Sequence, residues 1–460
     1  MTRAPNILLL MTDQQRWDAM GCSGGWVRTP NLDRLAAEGV RFTNCVATSP
    51  VCIPTRLSLA TGLYPHNTGV WNNMQHQMPA GAPTWMQAVR GAGYRTSLFG
   101  KTHLHPHQGD LRDREGLMHA CGLDDVDEIG GPRASAQVLS HMTAGWEAKG
   151  LWDAYRADYR ERFRTKPHLV RPSTLGLEDY ADVYVGQQAK RYLQGYDRPE
   201  PWCCWVSFGG PHEPWDTPEP YASMYDPGEM PPAISRPPAG ERPRGQLDRL
   251  MERVNPAFEP GEVGRLRADY AGNVTLIDDQ IGEILEAIEA RGELESTVIV
   301  HTSDHGEMNG DHGLIYKSNF LDGAVRIPLI VRTPDSNAGS VCDSPAEWID
   351  IGPTLVEMAG GELAHRQFGK SLCEVLEHPR ATHRDFAISE IQGEIMLLDR
   401  EWKAAINAEG EVYLLFDVRE DPEEMRNLAG RPEVAEIETA LRLRILERLV
   451  QTQLRQPFGR

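Results

Sequence analysis

Residues 6–14 read NILLLMTDQ, an apolar run that stops at Asp13 and Gln14. A short apolar run bounded by polar residues is typical of a strand that is buried on both faces of a sheet. Similar runs recur along the chain, separated by helical stretches, at residues 40–46, 94–99, 202–208, 297–302 and 327–331. Strands that alternate with helices predict an α/β fold with a large mixed, mostly parallel sheet flanked by helices.

The helical stretches between these runs carry start and stop signals. Thr29 and Pro30 begin one helix and Gly39 ends it, and further helices are predicted at 84–90, 177–193 and 263–290. Two segments interrupt the alternation: residues 103–174 are polar and irregular, and residues 211–243 contain ten prolines. Long insertions of this kind usually build a lid or a substrate wall.

The pattern changes near residue 366. Short strand-like pieces at 386–388, 402–406 and 411–415 precede a predicted terminal helix at 434–449. We therefore expect a large α/β domain over residues 1–365 and a small α+β subdomain over residues 366–460, with a short antiparallel sheet and the terminal helix.

The composition and charge argue against several classes of protein. The chain has 460 residues and a formal net charge of −19, which argues against a partner such as nucleic acid or an anionic membrane. No apolar run approaches the roughly 20 residues of a membrane span, and the N-terminus lacks a signal peptide's features. The eight cysteines show no paired framework, and the adjacent Cys203 and Cys204 should point to opposite faces of a strand. We expect a soluble cytoplasmic protein.

Polar side chains follow four of the predicted strands. Ligands of open α/β sheets bind beyond the carboxyl ends of the strands, so residues that follow different strands can meet at one site. The residues in question are Asp13 and Gln14, Lys101 to His103, His212, and Asp304 to Glu307.

Three of these residues have the chemistry of metal ligands. Asp13, Asp304 and His305 could share one divalent cation. Carboxylate oxygens suit Ca²⁺ or Mg²⁺, and an imidazole nitrogen shifts the preference somewhat toward Mn²⁺. Basic side chains would then surround an anion at that metal; they are Arg56, Lys101, His103, His212 and Lys317.

The segment Cys52-Ile53-Pro54-Thr55-Arg56 bears on the kind of nucleophile. A cysteine-based phosphatase loop places five residues between its cysteine and its arginine, whereas only three separate Cys52 from Arg56, so that reading is excluded. Cys52 directly precedes a helix expected to begin near Pro54, and a helix N-terminus favours a negative group.

This segment, followed by Thr61 and Gly62, resembles the signature of the type I, formylglycine-dependent sulfatases of the alkaline phosphatase superfamily. Further motifs occur in the family's order over residues 5 to about 430. They are Met11 to Gln14, Gly100 to His103, Pro211-His212, Ser303 to Glu307, Gly310 to Leu314 with Lys317, Arg326 to Leu329, Val412 to Asp417 and Asp421 to Ala429. The resemblance implies an alkaline-phosphatase-like fold and hydrolysis of a sulfate ester to an alcohol and inorganic sulfate.

The resemblance also implies a modified nucleophile. A maturation enzyme would oxidise Cys52 to Cα-formylglycine, which is then hydrated to a gem-diol. A metal-bound oxygen of the diol would attack sulfur and expel the alcohol, because the cation lowers the pKa of that oxygen. The second hydroxyl would then lose its proton, so that the aldehyde re-forms and sulfate leaves.

Roles for the individual residues follow from the same resemblance. The family binds one divalent ion, with Ca²⁺ our first choice and Mn²⁺ or Mg²⁺ as alternatives, and the implied ligands are Asp13, Gln14, Asp304, His305 and residue 52 itself. Arg56 and Lys101 would fix the formylglycine. His103 would be the base, and His212 and Lys317 would bind the sulfate and protonate the leaving oxygen.

Some positions depart from the commonest family pattern. Gln14 stands where many sulfatases have Asp, and His305 where they often have Asn. Both variants resemble branches that include choline-sulfatase-like enzymes and phosphonate monoester hydrolases. Lys101 and His103 favour a sulfatase over a phosphonate hydrolase, whose corresponding stretch lacks them. Asn73 aligns with an active-site amide that would touch the anion, or it is a turn-forming residue.

Several alternatives stay open at this stage. His105 and His107 could be zinc ligands, residues of the substrate wall or plain loop residues. A phosphonate monoester or phosphodiester hydrolase, with or without sulfatase activity, is the second reading, and a non-enzymatic binder with unconverted Cys52 is the third. The substrate could be a small-molecule or a saccharide sulfate ester, and the chain could form a homo-oligomer.

Overall fold

The computed structural model describes residues 4–74, 78, 81–165, 168–238, 258–335 and 337–454. Its main sheet has nine strands in the order β4-β3-β5-β1-β6-β7-β2-β8, with β9 also paired to β2. The strands are β1 (Asn6–Thr12), β2 (Val40–Val46), β3 (Arg95–Gly100), β4 (Asp125–Glu128), β5 (Trp202–Ser207), β6 (Thr297–Ser303), β7 (Arg326–Arg332), β8 (Ser340–Cys342) and β9 (Ala346–Glu347).

Strands β4, β3, β5, β1 and β6 are parallel neighbours, whereas β7 runs antiparallel to β6 and β2. In the parallel block the register aligns the strand ends: Gly100 pairs with Ser207, and Thr12 pairs with Ser303. The residues that follow these ends therefore emerge side by side at one edge of the sheet.

Within the described residues, helices cover both faces of this sheet. They are α1 (Pro30–Glu38), α2 (Cys52–Thr61), α3 (Pro65–Thr68), α4 (Trp85–Gly91), α5 (Glu115–Ala120), α6 (Gly131–Ser135), α7 (His141–Ala148), α8 (Trp152–Thr165), α9 (Ala181–Gln194), α10 (Glu262–Ala290), α11 (Asp322–Val325), α12 (Ile351–Met358), α13 (Cys373–Glu377) and α14 (Ala435–Gln451). None of these helices is both long enough and apolar enough to cross a membrane.

The two faces of the sheet form separate apolar cores because successive side chains of a strand point to opposite sides. In β1, Ile7 and Leu9 pack toward α2, α4 and α12, whereas Leu8 and Leu10 pack toward α1, α9 and α10. Cys203 and Cys204 divide between the two cores in the same way, as predicted.

The C-terminal region forms a second, antiparallel sheet of four strands in sequential order. Its strands are β10 (Ala387–Ile391), β11 (Glu394–Leu398), β12 (Trp402–Ile406) and β13 (Val412–Asp417). Leu441 and Ile445 of α14 pack against this sheet. The predicted fold class is confirmed, and the predicted boundary between residues 365 and 366 stays a prediction.

One prediction about the insertions is wrong in detail. Residues 103–174 are not irregular, since they contain the edge strand β4 and helices α5 to α8. Trp146 of α7 and Trp152 at the start of α8 are buried in the core. The described part of the proline-rich insertion, residues 211–238, contains no helix or strand.

Candidate active site

Two aspartates and one arginine form the buried base of the site. Asp13 follows β1, Asp304 follows β6, and both side chains are inaccessible to solvent. Arg56 reaches them from α2, with Nε 2.8 Å from Asp304 Oδ2 and Nη2 3.0 Å from Asp13 Oδ2. Its Nη1 also donates to the carbonyl of Lys101 at 2.7 Å and to Ser207 Oγ at 3.2 Å. The arginine thus ties four elements of the sheet edge to α2.

The carboxylate of Asp13 is ionised despite complete burial. Burial acts to raise its pKa, but Lys101, His212, Arg56 and His305 outweigh it and hold the pKa well below its usual range. Lys101 Nζ donates directly to Asp13 Oδ2. The other oxygen, Oδ1, has no hydrogen-bond partner among the described residues. A buried, ionised oxygen without a donor fits a cation ligand.

Cys52 is the first residue of α2, and its side chain is 1% exposed. Burial and Asp13 act to raise the pKa of its thiol, but Lys317, Lys101 and His305 hold the pKa well below the ordinary value. Helix α2 begins at Cys52, two residues before the predicted start at Pro54. Residue 52 lies at an N-terminus where positive charge converges, a place that stabilises an anionic nucleophile.

His305 completes a group of four possible metal ligands. Its Nε2 lies 3.0 Å from Cys52 Sγ, 3.8 Å from Asp13 Oδ1 and 3.6 Å from Asp304 Oδ1. Its Nδ1 lies 3.0 Å from the carbonyl of Gly306, an acceptor, so Nδ1 carries the hydrogen and Nε2 faces the group. The four ligand atoms lie within 4.8 Å of one another. Two carboxylates and an imidazole suit a divalent ion such as Ca²⁺ or Mn²⁺.

Gln14 adjoins this group, and its amide is held in one orientation. Its Nε2 donates to Glu213 Oε2 at 3.1 Å and to Glu307. The amide oxygen Oε1 therefore points toward Lys317 and accepts a hydrogen bond from Lys317 Nζ. Glu307 also accepts from the backbone N–H of Asn309 at 3.0 Å, in line with the prediction that it supports its loop.

Two further predicted residues, His212 and Asn73, lie beside these groups. His212 lies close enough to lower the pKa of Asp13. Its Nδ1 contacts the Glu213 carbonyl at 2.8 Å and Glu213 Oε2 at 3.2 Å. Asn73 accepts from the backbone N–H of Ile53 at 3.0 Å, so it caps the first turn of α2 beside Cys52.

Backbone strain concentrates around the same residues. Gln14, His103, Tyr316 and Ser318 all have positive φ angles, between 60° and 74°, which are uncommon for residues other than glycine. The last two flank Lys317. Strained residues persist only where the surrounding contacts fix them, and they cluster at functional sites.

Two contributors have no signal in the sequence. Asp182, the second residue of α9, accepts from the backbone N–H groups of Gly209 at 2.8 Å and Gly210 at 2.9 Å. The Gly210 carbonyl in turn accepts from Asp13 N at 2.9 Å. Asp182 therefore positions the loop that carries His212. The second contributor is Ser207, which accepts from Arg56, and neither residue lies in a recognisable motif. Glu213, in contrast, could have been identified from its position next to His212 in the sequence.

Comparison with known protein families shows which family this chain belongs to. A family model described as sulfatase matches residues 5–361, and one described as the C-terminal part of N-sulphoglucosamine sulphohydrolase matches residues 310–451. The chain belongs to the sulfatase family. This confirms the predicted family and, with it, the predicted class of sulfuric ester hydrolases.

Individual relatives are similar to this protein over almost its whole length. The multifunctional alkaline phosphatase superfamily protein PehA of Trinickia caryophylli is 30% identical, over 95% of this chain and 93% of the relative. An arylsulfatase of Clostridium perfringens is 28% identical, over 94% and 92%. The crystal structure of a phosphonate monoester hydrolase of Agrobacterium radiobacter aligns with a TM-score of 0.78 at 26% identity, over 98% of this chain and 96% of that one.

Proposed function

We propose that this chain hydrolyses a small-molecule or saccharide sulfate ester to an alcohol and inorganic sulfate, with formylglycine derived from Cys52 as the nucleophile. The observation that carries the proposal is the position of residue 52. It begins a buried helix 3.0 Å from His305 and inside a ring of cations, while Arg56, one turn along the same helix, pairs with both Asp13 and Asp304.

One divalent metal ion belongs to this proposal, with Ca²⁺ preferred and Mn²⁺ or Mg²⁺ as alternatives. Asp13, Asp304, His305 and residue 52 would hold it, with the Gln14 amide oxygen as a weaker ligand beside Lys317. When bound, the ion supplies positive charge that lowers the pKa of a nucleophilic oxygen and polarises the sulfate.

The protein's own cations orient the reacting groups. Arg56 has donors on both aspartates, so it fixes the two carboxylates relative to each other. Lys101 donates to Asp13 Oδ2, the oxygen that Arg56 also contacts, and it lies close enough to lower the pKa of the Cys52 thiol. Its ammonium can therefore also contact an anionic oxygen of residue 52. Lys317 is held by the strained segment around it and balances the negative charge of the ester.

The two histidines are suited to different proton transfers. Hydrogen bonding of Nδ1 to the Glu213 carbonyl leaves His212 Nε2 directed away from that loop, and Glu213 Oε2 lies 3.2 Å from the same Nδ1. We assign His212 as the acid for the leaving oxygen. His103 lies two residues after Lys101 and is assigned as the base for release of sulfate.

The proposal is tested by mass spectrometry and kinetics on enzyme coexpressed with a formylglycine-generating maturation enzyme. The tryptic peptide of residues 42–56 should be about 18 Da lighter than its unmodified form, because a thiol is exchanged for an aldehyde. Cys45 in the same peptide is the internal control and should still react with an alkylating reagent. Turnover of an aryl sulfate should vanish in Cys52→Ala; unchanged turnover would refute the mechanism.

Hydrolysis of phosphonate monoesters or phosphodiesters on the same scaffold is the second candidate function. Gln14 and His305 favour it, since the resemblance associates both with that branch, and one solved relative is a phosphonate monoester hydrolase. Relative kcat/KM for matched aryl sulfate and aryl phosphonate esters decides between them. We expect the sulfate ester to be preferred.

We also propose that the protein works in the cytoplasm. All eight cysteines are free thiols in the structure, as expected for a reducing compartment. Fractionation of the source cells, with activity followed in each fraction, tests this location.

A further inference from the structure

A second group of metal-ligating side chains lies beside the active site, in the turn that follows β3. His105 and His107 belong to this turn, and Glu128 is the last residue of β4, which pairs with β3. All three side chains are at most 6% exposed. Their possible ligand atoms lie within 4.8 Å of one another.

Each oxygen of Glu128 faces one imidazole. His105 Nε2 lies 2.7 Å from Oε2, and His107 Nε2 lies 3.1 Å from Oε1. The two rings meet edge to face with centroids 5.4 Å apart, so both point their Nε2 atoms at the same carboxylate. Thr102 donates its hydroxyl to Oε1 and fixes the carboxylate from a third side.

The hydrogen bonding of His105 orients its Nε2 atom toward the carboxylate of Glu128. Its Nδ1 is 3.2 Å from the carbonyl of Pro106, which only accepts, so Nδ1 carries a hydrogen. Nε2 therefore faces Glu128 either as the N–H of a protonated ring, which donates to Oε2, or as the lone pair of a neutral ring, which can share a cation with the carboxylate. A ring oriented through Nδ1–H to a backbone carbonyl is the usual arrangement of a metal-binding histidine.

We propose that His105, His107 and Glu128 bind a second divalent metal ion, Zn²⁺, which fixes the turn that carries His103. Two imidazoles and one carboxylate are an established zinc ligand set, with a water in the fourth position. Ca²⁺ and Mg²⁺, which prefer oxygen ligands, fit it poorly. Ligand atoms about 2.1 Å from a tetrahedral ion are about 3.4 Å apart, so the side chains need to separate by less than about 1 Å.

The site would act on catalysis only through position. The ring of His107 lies against that of His103, with centroids 4.7 Å apart, and His103 has a strained positive φ of 60°. A metal ion that holds His107 in place therefore restricts the movement of the His103 ring, which the proposed mechanism uses as a base. This inference does not depend on which ester the enzyme hydrolyses.

The test measures zinc binding to purified, metal-stripped enzyme in the presence of excess Ca²⁺, by competition with a chromophoric chelator. Wild type and Asp304→Asn should each bind one tight equivalent of Zn²⁺, whereas His107→Gln should lose it. His141→Gln is the matched control, because His141 pairs with Glu115 at 3.4 Å on the surface of the same insertion and should keep the equivalent. Co²⁺ in place of Zn²⁺ should give the intense visible absorption of a four-coordinate ion.

A tight equivalent that survives His107→Gln but disappears in Asp304→Asn would overturn the proposal, as would the absence of any tight zinc in wild type. If a variant folds poorly, the site can still be tested directly on the wild-type protein. Crystals of wild type soaked in Zn²⁺ should show an anomalous scattering peak between Glu128 and the two rings, and no peak there refutes the site.

Discussion

Replacing Asp182 by alanine should displace the loop that carries His212 without touching any residue that contacts the reacting groups. Asp182 accepts two backbone N–H groups, from Gly209 at 2.8 Å and Gly210 at 2.9 Å. Its side chain is buried, and alanine leaves both donors without an acceptor.

The magnitude follows from the two lost contacts. A buried N–H without a partner costs about 1–3 kcal/mol, so the pair should cost about 4 kcal/mol. An unfolding entropy of about 2.1 cal/mol/K per residue amounts to roughly 1 kcal/mol/K for 460 residues, which gives a fall in Tm of about 4 °C. Asp182→Asn keeps an oxygen acceptor and should lose no more than about 1–2 °C.

The assay combines thermal unfolding at one fixed scan rate with steady-state kinetics on an alkyl and an aryl sulfate. A displacement of His212 by about 1 Å should lower kcat on the alkyl sulfate about 100-fold. The aryl sulfate should lose much less, because its leaving group hardly needs a proton. Asp179→Ala is the control: Asp179 pairs with the exposed Lys149 at 2.6 Å, and its loss should change Tm by less than about 1 °C. Equal kinetic losses on both esters, or equal Tm shifts in the Asp182 and Asp179 alanine variants, would refute this reasoning.

Three further outcomes are expected. His212→Ala should impair hydrolysis of alkyl sulfates far more than of aryl sulfates, whereas His103→Ala should slow both and let a sulfated enzyme accumulate, as detected by mass spectrometry of quenched samples. Exhaustive chelation should abolish turnover and lower Tm, because Asp13 and Asp304 lose a counter-charge, and Ca²⁺ should restore both; turnover that survives chelation would exclude the metal site. Burial raises the pKa of Asp269 from 3.8 to about 7, so the folded state keeps a proton that the unfolded state releases. The resulting stability is complete below about pH 4 and is lost as pH rises through 7. The difference in unfolding free energy between wild type and Asp269→Asn should change by on the order of 4 kcal/mol over that range, which denaturant titrations at pH 4 and 8 will measure.

The sequence predicted the central strands because each is a compact apolar run with a sharp polar end. Strands 40–46 and 402–406 agree residue for residue with β2 and β12. Strand β4 was missed, since Asp125, Asp127 and Glu128 give it a charged sequence. It forms because it pairs with β3 at the edge of the sheet, where its polar side chains can bind partners such as His105 and Tyr184.

The motifs predicted a set of site residues, whose roles stay predictions, but they did not predict how these side chains are held. Cys52, Arg56 and Lys101 were identified because their spacing matches the family, and the structure places them around Asp13. The supporting contacts come from residues distant in sequence: Asp182 supports the His212 loop across 28 positions. Such pairs depend on how the helices pack on the sheet, which no local pattern specifies.

The Gln14 amide gives the site a different charge from one that has aspartate at this position. Arg56, Lys101 and Lys317 contribute three positive charges, and four carboxyl groups lie among them, those of Asp13, Asp304, Glu213 and Glu307, so a bound divalent ion makes the sum positive. A further aspartate would lower that charge by one. Because Glu213 and Glu307 fix the orientation of the amide, its dipole still points an oxygen into the site. A more positive centre stabilises additional negative charge in a transition state. Sulfate monoesters and phosphonate monoesters both react as monoanions, so the positive charge that Gln14 preserves favours attack on either ester and does not by itself select between them.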